Sequence, residues 1–223
     1  MYRYVIFDLD GTLLNTIDDL ADAGNWVCCK HGWPTHTVDE FKYFVGNGMT
    51  MLATRFMPEE CRTPEGIRGV LDEFMPYYDA HKQDKTAPYA GMPEALQRLK
   101  EAGISMSVLT NKADHMAGPV IEGYYPGLFP MVQGALPGVP PKPDPTLLHK
   151  LMERMEVKPE ETLFVGDSNV DIQTAKNGGL ASCGVLWGFR TRQELEAEGA
   201  DHTVETPEEL VELILSNERE EVI

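Results

Sequence analysis

Short apolar runs that end in polar or acidic residues alternate with helix-period stretches over most of the chain. The first run, Val5-Ile6-Phe7, is β-branched and aromatic and gives way at once to Asp8-Leu9-Asp10-Gly11-Thr12. Its length and composition predict a buried strand rather than a helix. The period then changes. Asp18–His31 predicts a helix with Ile17, Leu20, Ala23 and Val27 on one face, stopped by Pro34. Val38–Val45 (closed by Gly46-Asn47-Gly48), Met49–Met57 and Ile67–Ala80 predict further helices, with Pro58 and Pro64 as punctuation. Polar Lys82–Ala87 reads as a return linker. From Tyr89 onward, helices at Pro93–Ala102, Ala113–Glu122, Pro145–Met155, Val170–Asn177, Arg192–Glu198 and Pro207–Leu215 alternate with strands. Those strands are Ile104–Leu109, Met131–Gly134, Thr162–Val165, Ala181–Leu186 and His202–Val204. Repeated βα alternation predicts a parallel sheet covered on both faces, interrupted by one all-helical block over 17–84.

The chain has 223 residues, enough to bury a full core, and a formal charge of −17. With no compensating basic patch, that charge excludes a nucleic-acid backbone as partner. The acidic stretches Glu153–Glu161 and Glu194–Glu221 read as solvated helix faces, and Asn217–Ile223 is expected to fray. No run of 18 apolar residues occurs, so no membrane partner is expected, and the start carries no basic-then-apolar leader pattern. Cys28, Cys29, Cys61 and Cys183 form no CxxC pair and no zinc spacing. Buried thiols in a reducing cytoplasm are the expectation. The six histidines include no i, i+4 pair, and no GxSxG motif is present.

Chemistry concentrates at strand ends. In an open parallel sheet ligands sit beyond the carboxyl ends of the strands. Three predicted strands finish there in Asp8, in Thr110-Asn111 and in Asp167. Asp8-Leu9-Asp10-Gly11-Thr12 resembles the first motif of the haloacid dehalogenase superfamily. Val108-Leu109-Thr110-Asn111-Lys112, Lys142-Pro143-Asp144-Pro145 and Val165-Gly166-Asp167-Ser168-Asn169-Val170-Asp171 resemble its other motifs, in order. The resemblance spans the chain. It implies a Rossmann-like α/β core from 1–16 and 85–223, with an α-helical cap over 17–84.

The resemblance also implies roles. Asp8 would be the nucleophile that forms an aspartyl-phosphate, and Asp10 the acid for the leaving alcohol and then the base for water. Gly11, Thr110 and the Asn111 N–H would hold phosphoryl oxygens, and Lys142 would neutralise charge there. Mg²⁺ would be bound by Asp8, the Asp10 carbonyl and Asp167, with Asp171 supporting it through waters or Lys142. A charge count agrees. Two like charges ~4 Å apart repel by roughly 1 kcal/mol in water and ~4 kcal/mol at an effective dielectric of 20. Lys142 alone cannot offset several such pairs, so a divalent ion is expected.

Phe44-Val45-Gly46-Asn47-Gly48-Met49 resembles a cap segment of phosphoglycolate phosphatase-like members, and Asn15 stands where many relatives have Asp. The implied activity is Mg²⁺-dependent hydrolysis of a small anionic phosphoester by a cytoplasmic monomer or weak homodimer. Substrate contacts are expected from Gly46, Asn47 and Gly48, or from Lys42 or Arg55. β-Phosphoglucomutase, pyrophosphatase and sugar-phosphatase activities stay open within the same superfamily. A non-catalytic phospho-ligand-binding or regulatory domain is the alternative from another class. Dehalogenation is disfavoured, because family members catalysing it lack the acid corresponding to Asp10.

Overall fold

The computed structural model describes residues 2–216, so the expected fraying of 217–223 lies outside the described residues. Strand β1 (Tyr4–Phe7) is followed by β2 (Leu14–Asn15) and four helices: α1 (Ile17–His31), α2 (Val38–Phe44), α3 (Met49–Phe56) and α4 (Pro64–His81). Then come β3 (Ala87–Pro88), α5 (Met92–Glu101), β4 (Ser105–Ala113), α6 (Asp114–Tyr124), β5 (Met131–Ala135), α7 (Thr146–Met155) and β6 (Thr162–Gly166). The chain continues through α8 (Asn169–Gly178), β7 (Ala181–Val185), α9 (Arg192–Glu198), β8 (His202–Val204) and α10 (Pro207–Ser216).

Six strands form a parallel sheet in the order β5-β4-β1-β6-β7-β8. The order reverses at β1, where the chain first builds outward to β4 and β5 and then returns to lay β6 on the other side. Ligand crevices of open α/β sheets form at such a point. Val5, Ile6 and Phe7 are all fully buried, as a central parallel strand requires. Their side chains alternate between layers. Val5 and Phe7 pack with Leu96, Leu99, Val120, Ile121 and Leu210, while Ile6 packs with Leu109, Leu148, Leu151 and Phe164 on the other face.

The helical unit has its own core, built from Leu20, Val27, Phe41, Phe56, Phe74 and Tyr78. Met116 and Phe189 from the sheet domain complete it. Helix α4 begins three residues before the predicted start because Pro64 is not a break. It occupies the first turn, where no N–H is needed, and Thr63 caps the Gly66 N–H at 3.0 Å. Strand β4 outruns its predicted end at Leu109 to reach Ala113, carrying Thr110, Asn111 and Lys112 within it.

No pattern along the chain predicts the β2–β3 ribbon, in which Leu14 pairs with Pro88 and Asn15 with Ala87. Beside it, the buried Asp19 carboxylate accepts the Lys85 and Thr86 N–H groups at 2.9 Å and the Thr86 hydroxyl at 2.7 Å. The first turn of α1 is thereby tied to the segment that returns into β3. All four cysteines are free thiols. Cys28 and Cys183 are buried as expected, whereas Cys29 is exposed and Cys61 half-buried. Among the described residues no helix is long and apolar enough to cross a membrane.

Candidate active site

Register brings the motif residues together. Phe7 lies opposite Val108 on one side and Val165 on the other, so Asp8, Thr110 and Asp167 emerge at one edge of three adjacent strands. The Asp8 N–H still donates to the Val165 carbonyl at 2.8 Å, which keeps its carboxylate at the strand end. Gly11 makes the turn beyond it with φ +87°, and a Cβ there would lie 2.3 Å from Asp167 Oδ2. Only a glycine lets this loop pass so close to the acid.

Lys142 Nζ is buried between two carboxylates, 2.8 Å from Asp8 Oδ1 and 2.7 Å from Asp171 Oδ1. Asn111 fixes the loop that carries it: the Lys142 N–H donates to Asn111 Oδ1 at 2.8 Å, and Asn111 Nδ2 donates to the Lys142 carbonyl at 3.0 Å. The same Nδ2 donates to the Gly46 carbonyl of the helical unit at 2.9 Å. Asp171 sits in the first turn of α8, its Oδ2 accepting the Ser168 N–H at 3.0 Å and hydroxyl at 2.7 Å. Asp167 accepts the Phe189 N–H at 2.7 Å and the Thr12 hydroxyl at 3.3 Å.

Asp8, Asp167 and Asp171 each present a carboxylate oxygen, and these oxygens lie within 4.8 Å of one another. All three residues are buried. Asp8 Oδ1 is buried, and its partner is the Lys142 ammonium at 2.8 Å. Burial pushes Asp8 up to about 7, with Lys142 opposing and Asp171 and Asp10 reinforcing. Asp167 is raised well above the usual carboxylate range by burial, then by Asp171 and Asp8. For Lys142, burial pulls downward, but Asp171 and Asp8 outweigh it and the ammonium is held charged.

A second lysine, not given a role from the sequence, enters here. Lys112 is fully enclosed, with Nζ 2.9 Å from Asp10 Oδ1 and 2.6 Å from the Tyr78 hydroxyl of α4. With all four carboxylates ionised, the two ammonium groups leave two negative charges, which one divalent cation would balance. Three buried carboxylates whose oxygens lie within 4.8 Å of one another fit a hard cation such as Mg²⁺.

Asp8, Asp10, Thr110, Asn111, Lys112, Asp167, Gly46 and Gly48 line one cleft between sheet and helices, with a free volume of about 30 Å³. Asn47 faces instead an adjoining open groove of about 670 Å³, bordered by Met49, Met51, Leu71, Met75, Leu136 and Val139. Neither Lys42 nor Arg55 borders the cleft. Lys42 pairs with Asp39 at 2.8 Å. Arg55 donates to the Phe44 carbonyl and to Asn47 Oδ1, both at 2.8 Å, and so braces the 44–47 turn from behind. Besides Lys112, the cation that borders the cleft is Arg190, from the segment after β7, which donates to the Lys42 and Val45 carbonyls. Its distance in sequence from every motif gave no signal of this.

Residues 5–185 match the haloacid dehalogenase-like hydrolase family. The chain is 31% identical over 221 residues to the phosphoglycolate phosphatase of Vibrio parahaemolyticus, covering 95% of this chain and 96% of that protein. It is 33% identical over 193 residues to the phosphoglycolate phosphatase of Thiobacillus denitrificans, covering 84% of each. A crystal structure of a candidate phosphoglycolate phosphatase from Lactobacillus delbrueckii subsp. bulgaricus superposes with a TM-score of 0.90 at 32% identity, covering 96% of this chain and 98% of that one. An acid-ended central strand, a reversal of strand order beside it and this likeness over nearly the whole length agree: the chain belongs to the haloacid dehalogenase-like hydrolases, as a phosphoric monoester hydrolase of the phosphoglycolate phosphatase-like kind.

Proposed function

We propose that the protein hydrolyses a small phosphate monoester, 2-phosphoglycolate first among them, in the cytoplasm and with Mg²⁺. The observation that carries this reading is the buried Asp8 carboxylate at the switch point, 2.8 Å from Lys142 and beside Asp10. In this reading Asp8 attacks phosphorus while Asp10 gives its proton to the bridging oxygen, so the Asp8 O–P bond forms as the ester P–O bond breaks. Water then attacks the aspartyl-phosphate, Asp10 takes its proton, and the Asp8 carboxylate leaves with the bonding pair. Gly11, Thr110 and the Asn111 N–H hold the phosphoryl oxygens. Lys142 offsets charge on the nucleophile and on the phosphoryl group.

Asp8, Asp167 and the Asp10 carbonyl would hold Mg²⁺, with Asp171 steadying the site through Lys142 or bound waters. The ion supplies charge neutralisation of nucleophile and phosphoryl oxygens. The division that goes with this chemistry is a core of 1–16 and 85–223 and a cap of 17–84. In this reading the cap moves outward to admit substrate and closes over it for the reaction. The substrate carboxylate is met by backbone N–H groups of the Gly46–Gly48 turn and by Arg190.

The test is a kcat/KM comparison of 2-phosphoglycolate, pyrophosphate, hexose phosphates and nucleoside monophosphates in Mg²⁺. A tenfold or greater preference for another ester overturns phosphoglycolate and leaves the phosphatase chemistry standing. A bulkier monoester is the second reading, favoured by the apolar groove of about 670 Å³ that adjoins the cleft.

A further inference from the structure

A lysine side chain is rarely enclosed without a task for its charge. Lys112 is 2% exposed, next to last in β4, where an apolar residue would fill the same space without desolvating an ammonium. Its Nζ contacts two groups distant in sequence. One is Asp10 Oδ1, at 2.9 Å; the other is the Tyr78 hydroxyl, at 2.6 Å, which belongs to the helical unit. Burial raises the Tyr78 phenol to about 12, so it stays neutral and serves Lys112 as an acceptor. Among the described residues no other side chain hydrogen-bonds to the Asp10 carboxylate.

We propose that Lys112 is a positioning residue for Asp10: it occupies Oδ1, so that Oδ2 carries the transferable proton into the cleft, and Tyr78 holds the ammonium in place from the cap side. The proposal rests on the acid–base reading of Asp10 given above. A carboxyl group with both oxygens free presents its proton from either of them and over a range of torsions. An ammonium on one oxygen removes that freedom, because protonating Oδ1 would mean breaking a charge-assisted bond. Lys112 touches neither substrate nor leaving group in this scheme. Tyr78 adds a condition: the second partner of the ammonium comes from α4, so the full hold on Asp10 exists only while cap and core are docked as they are here.

The leaving group reads this directly. Losing general-acid assistance matters little when the leaving phenolate is already stable and much more when it is basic. The experiment measures kcat/KM in Mg²⁺ for p-nitrophenyl phosphate and phenyl phosphate with wild type, Asp10→Asn, Lys112→Met, Lys112→Arg and Tyr78→Phe. Asp10→Asn is expected to lose about 10²-fold or more on phenyl phosphate and clearly less on the nitrophenyl ester. Lys112→Met is expected to follow it, with a selective loss of about tenfold or more on phenyl phosphate, part of that same 10²–10⁴-fold contribution. Lys112→Arg should recover most of the selectivity. Tyr78→Phe should lose a few-fold in the same direction.

Equal losses on both esters in Lys112→Met, or no recovery in Lys112→Arg, overturn the proposal and leave a purely structural lysine. If Lys112→Met does not fold, Tyr78→Phe decides, since an unselective change there overturns it too. If Asp10→Asn shows no selectivity, the acid–base reading itself fails and takes this proposal with it. If Asp10→Asn is selective and Lys112→Met is not, the role of Lys112 alone falls.

Discussion

Replacing Lys142 with methionine keeps most of the side-chain length and removes the ammonium that Asp8 and Asp171 share. The group is 4% exposed and lies 2.8 and 2.7 Å from the two carboxylates. Removing one member of a buried ion group typically costs about 3–5 kcal/mol when the orphaned charge has no escape. Here an escape exists. Asp8 titrates at about 7 even with Lys142 present, so in mild acid it takes up a proton for little free energy. A carboxyl whose folded value is raised adds stability that is complete below its unfolded value and is lost as pH rises through the folded one. In the wild type that loss runs from about pH 4 and ends near pH 7, where Asp8 ionises. In Lys142→Met the folded protein keeps its proton to higher pH, and stability goes on falling by about 1.4 kcal/mol per unit. The deficit of the variant should therefore widen by about 2 kcal/mol between pH 7 and 8.5, or about 4–8 °C in Tm for a chain of this size. Thermal melts of both proteins without metal, at pH 6, 7 and 8.5, measure it. A deficit of the same size at all three would refute the electrostatic account and leave packing as the cause.

Added Mg²⁺ should raise Tm more at pH 8 than at pH 5.5, because protons compete with the ion for Asp8 and Asp167; saturation at about 100 times Kd adds about 2.7 kcal/mol. An equal shift at both values would place the ion elsewhere. Asp8→Asn should abolish turnover of p-nitrophenyl phosphate while leaving a cooperative melt, and retained turnover would remove Asp8 as nucleophile. Gly11→Ala should destabilise by about 1–3 kcal/mol through its positive φ and should displace Asp167, which its Cβ would meet at 2.3 Å. Unchanged Tm and metal affinity in that variant would contradict the crowding.

Asp8 and Asp167 were legible in the sequence because each follows an apolar run and parallel register aligns such ends, whereas Asp10 and Asp171 were legible only through the motifs that contain them. Lys112 was not, although it lies within a quoted motif. A lysine in a sequence reads as surface, and what permits its burial here is Asp10 and Tyr78, residues 102 and 34 positions away. The cap cations were misjudged in placement for a related reason. Composition offered Lys42 and Arg55, but helix geometry turns one to Asp39 and the other to the carbonyls behind the 44–47 turn. Arg190 takes up the place beside the cleft because the segment after β7 passes there, a consequence of strand order that no local pattern carries. Pro64 misled in the opposite direction, since proline stops a helix from within yet opens one from its first turn.

The ribbon of Leu14–Asn15 with Ala87–Pro88 makes a single neck between the helical unit and the sheet. A short reverse turn joining Asn15 to Ala87 would keep the order of all six parallel strands, baring Met116 and Phe189 and removing the partners that the helices give Asn111, Lys112 and Arg190. Everything above the neck is in this sense an interchangeable head on a constant stem. Heads of different shape mounted on the same two short strands would set different walls over one fixed group of acids. Substrate preference could then diverge by replacement of whole helical units, with no change to the residues that handle phosphorus.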